Sequence, residues 1–414
     1  MFRAVHADRS GRILVTDHPA IAFDGARGVP FADATPLPAD AVVAPIEREA
    51  LAAEKSGKPR RLGPGRLAAA ALLPLGYLRT QLPAYVDATD RADLVPRPYA
   101  AIAADERGEL VVAAVGIDRD ATHDRAAYGR AEVAARVAAE LRGRTSDRLV
   151  RQLARCAREY GCRAATNAFF ARWDCALPVA APGNERPPEA ISLKRDGEAE
   201  PTETAAFHPS AEEIARLATE HLAGGGTMVA FGRECEGEPL LAAREIEDAI
   251  TRIRAVIRDG TIHLETNGSA PGGLRRLAAA GLDSIAIRLV SARASTYDAI
   301  HRPDGYRFPD VRASLRLDAE LRLALAIKVL VLPGLFDRGD EIEALISLAS
   351  DAPEGTSLVL RDLHADPLRA LAVVSDHGEG PSGVSAALAR LRDALPHIRI
   401  GAFVRPLAKV PHVP

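Results

Sequence analysis

The second half of the chain alternates between short apolar runs and amphipathic segments, and this alternation is the feature that most constrains the fold. From Pro209 onward, strands are predicted near 227–232, 261–266, 284–290, 325–332 and 357–361. Helices are predicted between them near 241–258, 272–280, 308–322 and 338–350, where apolar residues recur at helical spacing. Strands connected by helices pair in parallel, so the pattern predicts an α/β protein with a parallel sheet.

A sixth strand is predicted over 172–179, ahead of this alternation. Helices near 126–141 and 147–160 precede it, and a capping box of Ser210 and Glu213 begins another helix. A doubly wound sheet is one alternative, but no Gly-x-Gly-x-x-Gly fingerprint follows the first strand. The six strands favour a partial (β/α)6 barrel, similar to an incomplete TIM barrel.

Three parts of the chain are predicted from changes in composition and pattern. Residues 1–146 form an N-terminal accessory domain of α+β type, which contains strands and long loops and is rich in Pro, Gly and Asp. Residues 147–380 form the barrel. Residues 381–414 form a C-terminal extension with a helix near 384–394 and a strand near 397–403.

The composition argues against several classes of function. Apolar residues make up 47% and charged residues 26% of the 414 residues, which is ordinary for a globular protein able to bury a large core. A net charge of −3 and a pI near 6.4 argue against nucleic acid or an anionic membrane as partner. Residues 1–9 contain no continuous apolar run, and the most apolar run, 67–78, is too short to span a bilayer. A cytoplasmic protein is therefore expected.

Four cysteines are present, and no pair has CxxC spacing. They are Cys156, Cys162, Cys175 and Cys235. The expected state is a set of reduced, mostly buried thiols, because a disulfide framework is rare in a cytoplasmic protein of this size. The alternative is that the last three converge on a metal.

The loop after the second strand is the strongest site candidate from the residues alone. It holds Glu234, Glu236 and Glu238, while Gly232 and Gly237 allow backbone to come close to a ligand. Ligands of α/β barrels bind at the carboxyl ends of the strands, where this loop lies. An acidic strand-to-helix loop without a ligand is the alternative. The other strand ends read Thr266–Ser269, Val290–Ser291, Leu332–Gly334 and Arg361–Asp362.

Several motifs in the same order resemble the radical S-adenosylmethionine (SAM) superfamily, and the likeness covers nearly the whole chain. It is closest to a bacterial group with an N-terminal extension and phrases such as YGC, FGQGCEGEPLL and TNGS. The matching segments are Tyr160–Cys162, Phe170–Trp173, Phe231–Leu241, Thr266–Ser269, Tyr297–Tyr306, Pro333–Asp337 and Leu360–Pro367. The resemblance implies a barrel that binds SAM, with an iron–sulfur cluster held by the long loop after the first strand.

The resemblance also implies roles for residues at the strand ends. The segment from Glu236 to Pro239 stands where the family holds the amino group of SAM. The residues expected to bind the cofactor are Gly232, Glu236, Gly237, Glu238, Pro239, Thr266, Asn267 and Ser291.

The chain departs from the family where the cluster ligands are expected. Members of the family carry the motif CxxxCxxC at this place. Its three thiolates bind three irons of a four-iron, four-sulfur cluster, and the fourth iron chelates SAM. An ungapped match places Gly183, Pro187 and Ala190 at these positions. None of them has a donor side chain, and the oxygens of Asn184 or Glu189 are poor substitutes for thiolates. We therefore expect no iron–sulfur cluster, and only weak binding of SAM or of a nucleoside-like ligand.

Other polar positions of the family pattern have changed as well. Val290 and Val359 replace Asn and Gln, which removes hydrogen-bonding groups that a buried polar ligand needs. Lys328 replaces Asn, and it is either a surface lysine or an inward side chain that requires a carboxylate. The candidate carboxylates are Glu238, Glu265 and Asp362.

Three hypotheses follow. The first is a pseudoenzyme, a radical-SAM-like barrel without its cluster, which binds a small molecule at the barrel mouth or a protein partner. The second is an active radical SAM enzyme whose cluster uses Cys162, Cys175 and Cys235.

The third hypothesis is a cofactor-independent enzyme with an acidic mouth. Glu236 or Glu238 would act beside Lys328 as a general base, and Arg361 would hold an anion. Two histidines are further candidates, although a strand histidine is more often a satisfied core residue. They are His263 and His364.

Overall fold

The structure is a computed structural model that describes residues 1–86, 94, 97–118, 120, 128–187, 204–232, 237–374 and 378–407. Its regular elements form antiparallel sheets in the N-terminal part and one parallel sheet with helices in the rest. The fold is therefore mixed α/β, and this part of the prediction is confirmed. The division into three domains stays a prediction.

The N-terminal part is built from short strands. They are β1 (Arg3–Ala7), β2 (Ile13–Pro19), β3 (Ile21–Asp24), β4 (Arg27–Pro30), β5 (Ala34–Pro36), β6 (Val42–Glu49), β7 (Leu51–Ala53), β8 (Pro59–Arg61), β9 (Leu67–Leu72), β10 (Tyr77–Arg79), β11 (Leu82–Pro83), β12 (Tyr99–Ala104) and β13 (Leu110–Gly116). The largest sheet has the order β10-β13-β12-β1-β9-β6, with β2 beside β1 and β5 beside β13. Strands β11, β3 and β4 form a second sheet, and β7 pairs with β8.

Alanine-rich strands lie at the centre of the large sheet. Strand β9 reads LAAAAL and β12 reads YAAIAA, and both are buried along most of their length. Ala71 and Ala100 pack in one apolar cluster, whereas Ala101 and Ala103 pack in another. Small side chains allow close packing on both faces of a sheet. The most apolar run of the sequence is thus a sheet core.

Among the described residues, the parallel sheet contains seven strands in sequence order. They are β14 (Asp174–Ala176), β15 (Met228–Phe231), β16 (Thr261–Thr266), β17 (Ser284–Leu289), β18 (Ala324–Val331), β19 (Ser357–Asp362) and β20 (Arg399–Gly401). A doubly wound sheet reverses its strand order at a switch point, and no reversal occurs among these strands. The strand that was predicted near 397–403 as part of an extension is the seventh strand of this sheet.

Three of the described helices precede these strands, and the others follow or connect them. They are α1 (Arg130–Leu141), α2 (Arg148–Arg158), α3 (Arg163–Phe170), α4 (Ala211–Ala223), α5 (Ala243–Val256), α6 (Pro271–Ala280), α7 (Ala294–His301), α8 (Phe308–Arg316), α9 (Asp318–Leu321), α10 (Gly339–Ser350), α11 (Pro367–Ala372) and α12 (Val384–Ala394). The capping box predicted for Ser210 and Glu213 is present at the start of α4. Helices α3, α7 and α11 have eight residues or fewer, so they are too short to show a helical period in the sequence.

The two faces of the sheet differ in chemistry, because successive side chains of a strand point to opposite faces. Ile285 and Ile327 join the main apolar core together with residues of the helices. The opposite, inner face carries Glu265, Arg288 and Lys328. The charged side chains of β16, β17 and β18 are therefore directed away from the helices.

The N-terminal sheets pack on the carboxyl ends of β18 and β19. Ile21, Phe23 and Leu82 belong to one buried cluster with Leu330 and Leu363. At the β3–β4 turn, the backbone approaches so closely that a Cβ added to Gly25 would lie 3.3 Å from Cα of Gly334. This contact covers one half of the strand-end edge. Among the helices of the described residues, none has the length and apolarity needed to cross a membrane.

Candidate functional site

The strand-end site lies over β15, β16 and β17, and the carboxylate of Glu238 is its first element. Glu238 is 4% exposed. It accepts hydrogen bonds from the backbone N–H of Leu240 at 2.9 Å, from the backbone N–H of Asn267 at 2.8 Å, and from the hydroxyl of Thr266. Burial raises the pKa of Glu238 to about 7, although these hydrogen bonds act in the opposite direction.

The second element is the segment 181–187, which follows β14 and reaches across the site. Asn184 accepts from Nδ2 of Asn267 at 2.8 Å and donates to the hydroxyl of Ser269 at 3.0 Å. The backbone N–H of Asp304 donates to the carbonyl of Asn184 at 2.8 Å, and that of Glu238 donates to the carbonyl of Pro182 at 2.8 Å. The polar groups after β16 are therefore bonded to this segment.

Glu185 of the same segment is enclosed by donors. It pairs with the guanidinium of Arg288, lies 2.9 Å from Nδ1 of His301, and accepts from the hydroxyl of Tyr306 at 3.1 Å. Only 7% of its side chain is exposed. Burial by itself raises the pKa of Glu185, but Arg288 and His301 together outweigh it and hold the pKa well below its usual range. Glu185 is ionised at neutral pH.

Glycine is required at two positions of the site. Gly232 has φ +74°, and a Cβ there would lie 1.9 Å from the carbonyl oxygen of Glu265. A Cβ at Gly237 would lie 2.3 Å from the carbonyl oxygen of Ala181 and 2.4 Å from Pro182. The glycines allow close backbone contact as the sequence suggested, and the partner at Gly237 is the chain's own segment 181–187.

Lys328 points inward, so the structure decides between the two alternatives for this residue. It is 3% exposed and pairs with Glu265, which is also 3% exposed. His263, on the same strand as Glu265, is fully buried and lies 2.8 Å from the hydroxyl of Ser284. These contacts bridge β16, β17 and β18 across the inner face.

Two other candidates lie at the far end of the edge. Arg361 is half-buried beside Asp362, and its charge lowers the pKa of that carboxyl. Asp362 accepts from the backbone N–H of Arg79 at 3.2 Å, and its burial raises its pKa to about 6 in spite of the Arg79 guanidinium. His364 is half-buried. Within the described residues, Arg361, Asp362 and His364 form no hydrogen bond or ion pair with Glu238.

Ser291 lies in a separate polar cluster. Its hydroxyl donates to Glu341 on α10, which also accepts from Thr296 at 2.7 Å. The structure thus brings together Glu238, Thr266 and Asn267 and places Ser291 with Glu341. Pro239 is buried and begins a 3-10 turn over Pro239–Ala242. Glu236, Cys235 and Ala190 lie outside the described residues.

The donor set near the segment does not fit a four-iron, four-sulfur cluster. Gly183 and Pro187 have no donor side chain. Cys175 is fully buried on β14 within the main apolar core, and Cys162 is the residue before α3. Within the part of the chain that the structure describes, no group of three or more His, Cys, Asp or Glu residues could hold a metal ion.

Glu185, Arg288, His301 and Tyr306 are site residues that the sequence reasoning did not single out. Arg288 gave a usable signal, because an arginine within an otherwise apolar, buried strand requires a partner. Glu185 gave none, since a glutamate in a Pro-rich polar loop is ordinary.

No family model matches the chain, and no curated protein matches it. Among solved structures, the chain is similar to SuiB of Streptococcus suis bound to the precursor peptide SuiA, with 10% identity, a TM-score of 0.40, and coverage of 61% of this chain and 52% of SuiB. It is similar to a radical SAM methyltransferase from Sphaerobacter thermophilus, with 16% identity, a TM-score of 0.33, and coverage of 48% of this chain and 59% of the methyltransferase. It is also similar to HydG, a maturase of the FeFe-hydrogenase, with 12% identity, a TM-score of 0.37, and coverage of 67% of this chain and 64% of HydG. The chain spans about half the length of SuiB, and similarity at this level assigns no activity to it.

Proposed function

We propose that this chain is a radical-SAM-like protein that has no iron–sulfur cluster and acts as a pseudoenzyme, which binds a partner protein or a small ligand. We infer that its open parallel sheet is a partial (β/α) barrel with an N-terminal accessory part. The observation that carries the proposal is the position of segment 181–187, whose side chains already bond to the polar groups of the strand ends.

The chemistry of the segment supports the absence of a cluster. In the family that the chain resembles, the cluster binds SAM through its fourth iron and supplies the electron for reductive cleavage. Thiolates at the three ligand positions are indispensable to such a cluster. Gly183 and Pro187 carry none, and the polar side chains between them, Asn184 and Glu185, are directed at protein donors and acceptors.

The bonding of the predicted cofactor residues supports weak binding of SAM. Thr266 and Asn267 are saturated by Glu238 and Asn184. A ligand that used these groups would first have to break hydrogen bonds that are already buried, which lowers its affinity. A nucleoside-like ligand would meet the same cost.

Anaerobic reconstitution with iron and sulfide tests this proposal. We expect almost no bound iron, no iron–sulfur EPR signal, and no 5′-deoxyadenosine after addition of SAM and reductant. Brown protein with about four irons per chain would contradict it. The matched variant is Cys162→Ala/Cys175→Ala/Cys235→Ala, which must behave like the wild type.

The alternative of an active enzyme with unusual ligands makes the opposite prediction for that variant. If iron binds to the wild type and is lost from the triple variant, the cysteines are the ligands. The burial of Cys175 in the apolar core disfavours this outcome, since its sulfur lies 3.4 Å from the carbonyl of Ala176 and faces the helices.

A second candidate function is proton transfer by Glu238, which its pKa of about 7 favours. Lys328, however, pairs with Glu265 and not with Glu238. Capture of metabolites from a cell extract by wild-type protein and by Glu238→Gln, followed by mass spectrometry, tests this candidate. A metabolite that binds the wild type and is converted only by it would favour an enzyme.

The net charge of −3 also supports a partner other than nucleic acid or an anionic membrane. The cytoplasm stays the proposed location.

A further inference from the structure

The donors around Glu185 form a distinct group within the strand-end site. Arg288 lies on β17, His301 ends α7, and Tyr306 lies in the loop between α7 and α8. All three are directed at the one carboxylate of Glu185. We call these three residues the carboxylate cage. A guanidinium, an imidazole N–H and a phenol hydroxyl are the donors that recognise a carboxylate from several sides.

Contacts within the protein hold two members of the cage, His301 and Tyr306, in place independently of Glu185. The backbone N–H of Val290 donates to Nε2 of His301 at 3.2 Å, so Nε2 is assigned as an acceptor and Nδ1 as the donor that faces the carboxylate. The rings of Tyr297 and His301 stack with centroids 4.1 Å apart. The hydroxyls of Tyr297 and Tyr306 lie 2.9 Å apart. The imidazole and the phenol of the cage are therefore preorganised.

The charges of the inner face favour an anion at this place. Arg288 and Lys328 are direct neighbours in β17 and β18. Lys328 pairs with Glu265, and Arg288 pairs with Glu185. Without Glu185, Arg288 would lose the carboxylate that pairs with it while Lys328 keeps Glu265, in a region where both Lys328 and His301 are almost completely buried.

We propose that Arg288, His301 and Tyr306 are a built carboxylate-binding site, and that Glu185 of segment 181–187 is its internal ligand. A small external carboxylate binds there when the Glu185 side chain is absent or displaced. The inference deepens the proposed function and rests on it, because it states what occupies the strand ends in place of a cofactor. The site is filled in the wild type, so the wild type gains nothing from a free carboxylate.

Chemical rescue tests this site. Glu185→Ala removes the internal ligand, and we expect its Tm to fall by about 5 °C, because breaking a buried ion pair leaves Arg288 uncompensated. Sodium acetate or formate at ~100 mM should restore about 2 °C of this loss, since a ligand that binds only the folded state stabilises it. Sodium chloride at the same ionic strength and neutral acetamide should restore nothing, and the wild type should not respond to acetate.

The matched control is Glu247→Ala, which breaks an exposed pair with Arg276. Its Tm should change little and should not respond to acetate. The proposal is overturned if acetate stabilises both variants equally, if chloride rescues Glu185→Ala as well as acetate does, or if Glu185→Ala loses no stability.

A double-mutant cycle keeps the inference testable if Glu185→Ala does not fold. Glu185→Gln and Arg288→Gln preserve shape, and we expect the double variant to lose clearly less stability than the sum of the two single losses. Additive losses overturn the proposal. The proposed function is tested independently of this site. Bound iron in the wild type would contradict the loss of the cluster, whatever the outcome of the acetate rescue.

Discussion

The two halves of the strand-end edge are covered in different ways. Over β15, β16 and β17 the cover is polar, and it consists of segment 181–187 with Asn184 and Glu185. Over β18 and β19 the cover comes from the N-terminal sheets and is apolar, with Ile21, Phe23 and Leu82 packed on Leu330 and Leu363. We refer to them as the polar cover and the apolar cover.

Within the apolar cover lies a buried ion pair between Arg79 and Asp362. Arg79 is 0% exposed. Its guanidinium donates to the carbonyls of Leu363 at 2.8 Å and Tyr99 at 3.2 Å, and its Nε lies 3.9 Å from Asp362. This arginine therefore connects the N-terminal sheet to the end of β19.

The two covers are therefore sensitive to different kinds of substitution. The polar cover depends on a few charged groups, so a single substitution or a change in pH alters it. The apolar cover depends on packed area and fails when a substitution leaves a cavity, a clash or an unpaired charge. The predictions below separate these two dependences.

The largest effect is expected from Arg79→Ala in the apolar cover. The substitution leaves Asp362 buried without its partner and two carbonyls without donors, so the free energy of unfolding should fall by about 4 kcal/mol at pH 8. The loss should be smaller at pH 5, where Asp362, whose pKa is already raised to about 6, becomes neutral. Urea unfolding at both pH values measures this. Arg27→Ala, whose side chain is 70% exposed, is the control, and an equal loss in both variants would contradict the prediction.

A smaller effect is expected from glycine substitutions that compare the two covers. Gly334→Ala places a Cβ 2.1 Å from Cα of Gly25 at φ +86°, so we expect a loss of about 3 kcal/mol from clash and backbone strain. In the polar cover, the Cβ added by Gly237→Ala clashes with the backbone of segment 181–187, but Gly237 has no left-handed φ. We therefore expect the free energy of unfolding to fall by about 2 kcal/mol. Chemical denaturation measures both.

Gly355→Ala is the matched control for these two variants, because it has φ +91° and nothing within 4 Å of the added Cβ. It reports backbone strain alone, for which about 1 kcal/mol is expected. If it loses as much as Gly334→Ala, the close approach of Gly25 and Gly334 does not matter.

The smallest effect is expected from the pH dependence of Glu238 in the polar cover. Its folded pKa of about 7 exceeds the unfolded value of 4.5, so the folded state binds more protons in this window and stability falls as the pH rises through it. Glu238→Gln removes this dependence. Between pH 6 and pH 8 the wild type should lose about 1–2 kcal/mol relative to the variant. Urea midpoints across this range measure the slope, and parallel curves would refute the raised pKa.

A good part of the fold could be predicted from the sequence. The strand at Thr261–Thr266 and the helix at Val384–Ala394 lie where the pattern placed them. Periodicity is a local property, so it survives in the sequence of any segment long enough to show two periods. The pattern did not predict the short helix Arg163–Phe170, because its eight residues are too few to show the helical period clearly.

The sequence by itself determined the alternation of strands and helices and the lack of thiol donors at Gly183 and Pro187. Only the tertiary structure decided that Lys328 faces Glu265 and that Glu185 meets His301, 116 positions later in the chain. Spacing along a chain fixes which residues share a strand or a helix. It does not fix which side chains from distant elements meet, since strand order, register and loop path determine that together.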